Sequence, residues 1–181
     1  RHIPVILLTI RSSDNSRIKG IETGADDYVT KPFNMEYMLA RIENLIHSRN
    51  ELKKRFAKEI TLEPKDITIT SIDEKFLTKA FDLVEKNMAD PGFDSNGLFM
   101  AMGMSRSGLF LKLKALTGQS ATEFIRTIRL KRAAQMLAKN AMNISEVCYA
   151  VGFNHPVYFS RSFSKQFGMS PSDYAAKMTV E

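Results

Sequence analysis

Several kinds of chemistry are excluded by what this 181-residue chain lacks. It has one cysteine, Cys148, so no internal disulfide framework holds it, and a lone thiol fits a reducing compartment. No apolar run approaches the roughly 20 residues that cross a bilayer. No N-terminal stretch reads as a signal peptide. A cytoplasmic location without membrane contact is therefore expected. The chain holds three histidines and no Cys/His set at ligand spacing, so no metal is expected. His155 reads as a polar turn residue and Cys148 as a small core residue. There is no glycine-rich phosphate loop and no nucleophile beside a plausible base. These absences argue against an enzyme and against a resident cofactor.

Acids are scarce in one region. Residues 103–167 carry ten Lys or Arg against Glu123 and Glu146, a net +8, whereas the whole chain is +6. Positive charge concentrated in this way is the footprint of a polyanion partner. The same stretch contains a repeat at an offset of 50 residues. Leu109 corresponds to Phe159, Leu113 to Phe163, Gly118 to Gly168, Ser120 to Ser170 and Phe124 to Tyr174. A structural unit used twice is implied. In the first unit Leu109, Leu113 and Leu116 form a core-facing stripe at helical spacing, opposite Arg106, Ser107, Phe110, Leu111 and Lys114. In the second, Phe159, Phe163 and Phe167 face inward, and Tyr158, Arg161, Ser162 and Lys165 face outward.

The first half has a different texture. Residues 3–10 are a continuous β-rich apolar run, which suits a strand buried in a parallel sheet. A helix is expected from Asp14 to Thr23, a second strand over residues 27–30, and an amphipathic helix over 34–56. That helix has an apolar stripe of Met35, Met38, Leu39, Ile42, Leu45, Ile46 and Leu52. The order β-α-β-α suits half of a doubly wound α/β sheet. The segments PVILLT and GADDYVTKPF resemble the second half of a two-component receiver domain. That resemblance assigns Thr9 and Lys31 to the phosphoryl site and Tyr28 to the switch position, and it implies a frequently cis bond at Lys31-Pro32. The first three strands, the acidic pair and the phosphoacceptor aspartate of that family would lie upstream of Arg1, so a fragment of a longer protein is expected, without phosphorylation of its own. Lys53-Lys54-Arg55 reads as a solvated helix end. Residues 53–72 read as an ordered linker, in which Pro64 disfavours a central strand.

The second half reads as all-helical. Ser71 and Glu74 form a capping-box pattern; further helices are expected over 96–102, after Ser105, over 121–138, from Asn143, and from Pro171. Met100, Met102 and Met104 read as core filler. The segments SRSGLFLKLKALTGQSATEFIRTIRLKRAAQML and ISEVCYAVGFNHPVYFSRSFSKQFGMSPSDY resemble the AraC/XylS-type DNA-binding domain over about residues 74–179. The expected layout is 1–52 receiver fragment, 53–72 linker and 73–181 an all-α domain with two helix-turn-helix motifs on a linker helix. The resemblance implies DNA contacts by Arg106, Ser107, Phe110, Leu111 and Lys114 from one helix, and by His155, Val157, Tyr158, Arg161 and Lys165 from the other. Arginine suits guanine edges, Phe and Leu suit thymine methyls, and Lys114 and Lys165 suit phosphate. Leu111 stands where Arg or Gln is frequent in the family, and Phe99 and Cys148 where Ala is usual. The partners implied are double-stranded DNA and, in the full-length protein, a second copy as a homodimer. The function implied is a sequence-specific transcription regulator at the output end of a two-component phosphorelay, as a response regulator or the cytoplasmic end of a hybrid sensor kinase. The other class to weigh is a dimerisation or interaction module with only generic DNA affinity. It would be favoured if Arg106, Lys114 and Arg161 were buried or ion-paired.

Overall fold

The computed structural model describes residues 5–10, 27–58, 71–139 and 141–180. Two short strands, β1 (Ile6–Thr9) and β2 (Asp27–Thr30), pair in parallel with Ile6 opposite Asp27 and Thr9 opposite Thr30. The helix expected over 14–23 lies outside the described residues. The long helix α1 (Met35–Lys58) follows β2. Its expected apolar stripe is not a buried one among the described side chains, which leave out Leu52. Met35, Leu39, Ile42 and Ile46 are exposed, and Met38 and Leu45 are half-buried. Among the described residues, two strands and one helix supply too little apolar area to cover that face.

The buried part of α1 lies further along, at Arg49 and Phe56. The helix runs on to Lys58 and carries Phe56 into the core of the second half. There Phe56 stacks on Phe124 with ring centroids 5.8 Å apart and meets Phe81 edge-on at 6.0 Å. Its carbonyl accepts a 2.6 Å hydrogen bond from the buried Lys131 ammonium. Lys53, expected at a solvated helix end, is half-buried, and Lys54 pairs with Glu51 at 2.6 Å.

Seven helices complete the described chain: α2 (Ser71–Lys86), α3 (Ser95–Met102), α4 (Arg106–Thr117), α5 (Ala121–Ala138), α6 (Ile144–Ala150), α7 (Pro156–Phe167) and α8 (Pro171–Val180). Helix α5 is the common element. Its first half, with Phe124, Ile125 and Ile128, belongs to one core with Phe56, Leu77, Leu98, Leu109 and Leu113. Its second half, with Leu130, Ala133, Ala134 and Leu137, belongs to another core with Val147, Cys148, Phe159, Phe163 and Tyr174. A capping box starts α5: Ser120 Oγ accepts from the Glu123 N–H, and the Glu123 carboxylate accepts from the Ser120 N–H at 2.8 Å. Those bonds hold the Glu123 carboxyl below its ordinary pKa. Among the described residues no helix is long and apolar enough to cross a membrane.

The repeat at an offset of 50 is physical. Gly118 and Gly168 both end their helices at φ +76°, each donating to the carbonyl four residues back. Leu113 and Phe163 are fully buried equivalents, and Phe124 and Tyr174 are each buried within their own core. The methionines divide differently from the expectation. Met102 is buried, whereas Met100 is 73% exposed and is no core filler; it lies on the outer side of a helix of only two turns.

Candidate nucleic-acid interface

The ends of α4 are set locally. Gly103 closes α3 in the left-handed region at φ +70°, and Ser105 Oγ accepts from the Gly108 N–H at 3.1 Å to start the helix. With Leu109, Leu113 and Leu116 turned inward, Arg106, Ser107, Phe110, Leu111 and Lys114 all emerge on the exposed side. The Arg106 guanidinium lies 5.1 Å from the centroid of the Phe99 ring. Phe99 therefore gives that arginine an apolar shelf that alanine could not.

Helix α7 repeats the arrangement. His155 stands at its N-cap without a side-chain cap bond and Pro156 begins the helix. Phe159 and Phe163 are buried, while His155, Val157, Tyr158, Arg161 and Lys165 are exposed. Among the described residues Arg106, Lys114, Arg161 and Lys165 enter no ion pair. All ten expected contact residues thus sit on two solvent-facing helix sides, five on each.

The connection between the two sides is polar and specific. Arg126 of α5 and Tyr158 line the same groove, and Arg126 first, then Ser162, hold the phenol below its ordinary pKa. One turn further along α5, Arg129 is buried. It donates to the carbonyls of Asp90 at 2.6 Å and Phe93 at 3.3 Å, both ahead of α3, and to Gly152 at 3.3 Å in the turn before α7. Burial lowers the Arg129 pKa, and its Nε has no hydrogen-bond partner. A groove of about 280 Å³ runs between the two units, lined among others by Asp94, Thr122, Arg126, Arg129, His155 and Tyr158.

In the sequence Arg126 and Arg129 count only toward the positive charge of residues 103–167. The signal was present: Arg129 falls four residues after the buried Ile125, inside the apolar stripe, where a charge requires an internal partner. A second missed group joins α1, α2 and α4. Buried Asp73 faces Arg49 at 3.8 Å and Lys112 at 3.3 Å, and the Lys112 ammonium also lies over the Phe76 ring at 4.8 Å.

At the other end of the chain, Thr9 and Lys31 come together at one edge of the two-stranded sheet, where the Lys31 N–H donates to the Thr9 carbonyl at 2.7 Å. The Lys31-Pro32 bond is cis. Tyr28 pairs with Leu7 through the backbone, and its side chain lies outside the described residues. Asp27 is engaged by Arg41 through two 2.6 Å bonds. No group of three or more His, Cys, Asp or Glu among the described residues could hold a metal ion.

Comparison with known proteins adds the following. Residues 98–177 match the family model of a helix-turn-helix domain. A histidine kinase from Formosa agariphila is 49% identical over 173 residues, covering 96% of this chain but 13% of that protein. The chain therefore spans about an eighth of the length of that relative. The crystal structure of a transcriptional regulator with an AraC-type DNA-binding domain, from Chromobacterium violaceum, is 26% identical with a TM-score of 0.55, covering 60% of this chain and 96% of that one. The DNA-binding domain of the global transcriptional factor AdpA, solved with a target DNA, is 25% identical with a TM-score of 0.51, covering 59% and 91%.

Proposed function

Because residues 98–177 form a helix-turn-helix domain of the AraC type, we propose that this chain is a sequence-specific regulator that reads two successive major-groove faces of DNA, one with α4 and one with α7. The observation that carries this reading is that the two equivalent helices of a repeat each turn outward a side whose cations, Arg106 and Lys114 on one and Arg161 and Lys165 on the other, enter no ion pair among the described residues. Arg106, Ser107, Phe110, Leu111 and Lys114 form one reader. His155, Val157, Tyr158, Arg161 and Lys165 form the other. Helix α5 has 18 residues and is therefore about 27 Å long. With the flanking turns, that suits readers separated by about 34 Å, one turn of DNA. The three cations whose burial or pairing would have favoured a mere interaction module are all exposed.

The upstream part, residues 1–52, is proposed to be the C-terminal half of a receiver, with Thr9, Tyr28 and Lys31 as its phosphoryl-site and switch positions. Residues 53–72 join it to the reading domain, 73–181. The exposed stripe of Met35, Leu39, Ile42 and Ile46 supports a covered face in the longer protein, and with it homodimerisation. The long relative named as a histidine kinase supports a place at the cytoplasmic end of a hybrid sensor, where phosphorylation would alter pairing of the receivers on DNA.

The test is selection from a randomised duplex pool followed by fluorescence anisotropy with the wild type, Arg106→Ala and Arg161→Ala. The expected result is a motif of two elements about one turn apart. Each variant should lose about 1–3 kcal/mol of discrimination at its own element and none at the other. Salt-sensitive binding with no enriched motif and no effect of either variant would refute it.

A further inference from the structure

Helix α1 does more than connect. Its Lys53 stem lies against the end of α4: a Cβ built on Gly118 would be 3.8 Å from Cβ, Cγ and Cδ of Lys53. Gly118 falls one helical turn beyond Lys114, so Lys53 prolongs the outward side formed by Arg106, Phe110 and Lys114. Three cations, Arg49, Lys53 and Lys114, meet across this contact. Burial first, and then Arg49 and Lys114, depress the Lys53 pKa. The acids nearby are already engaged. Asp73 faces Arg49 and Lys112, Glu51 faces Lys54, and Glu123, which feels Lys114, holds the Ser120 cap. Lys53 has no ion-pair partner among the described residues. A crowded cation without an acid is a position that an arriving anion relieves.

We propose that Lys53, with Lys114, grips a DNA phosphate at the edge of the groove that α4 enters, which makes α1 part of the DNA-binding surface. The proposal rests on the double-reader function above. The chemistry that fits is a backbone phosphodiester: Lys53 lies past the C-terminal end of the reader, where helix-turn-helix elements leave the bases and approach the backbone. A lysine ammonium is a point charge suited to phosphate. The same helix follows β2 directly, so a rotation of the upstream part moves this grip together with it.

The experiment is the salt dependence of anisotropy on a fluorescein-labelled duplex recovered from the selection, using the full 181-residue chain. Lys53→Met keeps the aliphatic stem on Gly118 and removes the charge. The slope of log affinity against log salt should become shallower by about 0.9. The wild-type advantage over Lys53→Met should then be about 3.5-fold larger at 50 mM than at 200 mM salt, by the same slope. Lys53→Arg should restore the slope. Lys54→Met removes an equal charge from the neighbouring exposed residue and should leave it unchanged. An unchanged slope in Lys53→Met, or an equal change in Lys54→Met, overturns the proposal, because the first would mean a packing role and the second a bulk-charge effect. If Arg161→Ala still loses its element while Lys53→Met has no effect, the double-reader function stands and only the phosphate grip fails. If the selection yields no duplex, both fall.

Discussion

Gly152 and Gly103 share a backbone conformation, at φ +75° and +70°, yet alanine at the two positions meets different surroundings. At Gly103 nothing lies within 4 Å of an added Cβ, so Gly103→Ala costs only the left-handed penalty, about 1 kcal/mol. At Gly152 the methyl would stand 2.4 Å from the Met88 carbonyl oxygen and 3.0 Å from Cζ of Arg129. A backbone oxygen cannot swing aside as a side chain can. Relief requires moving the turn before α7 away from the turn that follows α2 and from α5, which adds about 1–3 kcal/mol for overpacking. It also displaces the Arg129 guanidinium from the carbonyls of Asp90 and Gly152, at about 1.5–3 kcal/mol for a charged hydrogen bond left buried. Gly152→Ala should therefore cost roughly 3.5–7 kcal/mol in total. In a domain of about 100 residues each kcal/mol moves Tm by about 4–8 °C. Scanning calorimetry should show Gly103→Ala lower by about 4–8 °C and Gly152→Ala lower by at least about 14 °C, or not folded. Equal shifts in the two variants would refute the reasoning, since the conformational penalty is common to both and only the contacts differ.

Two further outcomes follow from burial. Phe56→Ala should destabilise the second half by about 3–5 kcal/mol in urea unfolding, although Phe56 precedes that half's first helix; a change below about 0.5 kcal/mol, the usual size for a surface site, would mean that α1 is not part of the core. The Cys148 thiol is fully buried, and desolvation raises its pKa. It should react with a chromogenic disulfide only after denaturant is added, and labelling of the native chain at the rate of a free thiol would contradict that packing.

Much of the second half could be read from residue pattern, because its information is local. Gly103, Gly118 and Gly168 stand where only a residue tolerant of positive φ closes a helix cheaply. Ser105 and Ser120 cap the helices that follow them. Leucine and phenylalanine at intervals of four decide which side turns inward, and the ten outward residues follow from that choice. The parallel pairing of β1 with β2 was likewise legible, but the burial expected of the first apolar run was not met: Val5, Leu7, Leu8 and Ile10 are exposed, because the described residues put nothing over them.

What the pattern could not show lay in contacts between elements distant along the chain. Phe56 read as the last residue of an upstream helix; only packing against Phe81 and Phe124 makes it a core residue of the other half. Arg49, Asp73 and Lys112 are three unremarkable charges until three helices bring them together in a buried site. The stripe of Met35, Leu39, Ile42 and Ile46 has the period of a buried face, yet it stays exposed, because period records which side is apolar and not whether anything covers it. Local sequence thus decided the helices, their ends and their outward residues, since backbone capping and side-chain periodicity act within a turn or two. Tertiary structure decided that α1 joins the core of the second half and that Arg129 and Gly152 meet where its two units join. Those features depend on which distant surfaces meet, and no short-range pattern encodes that.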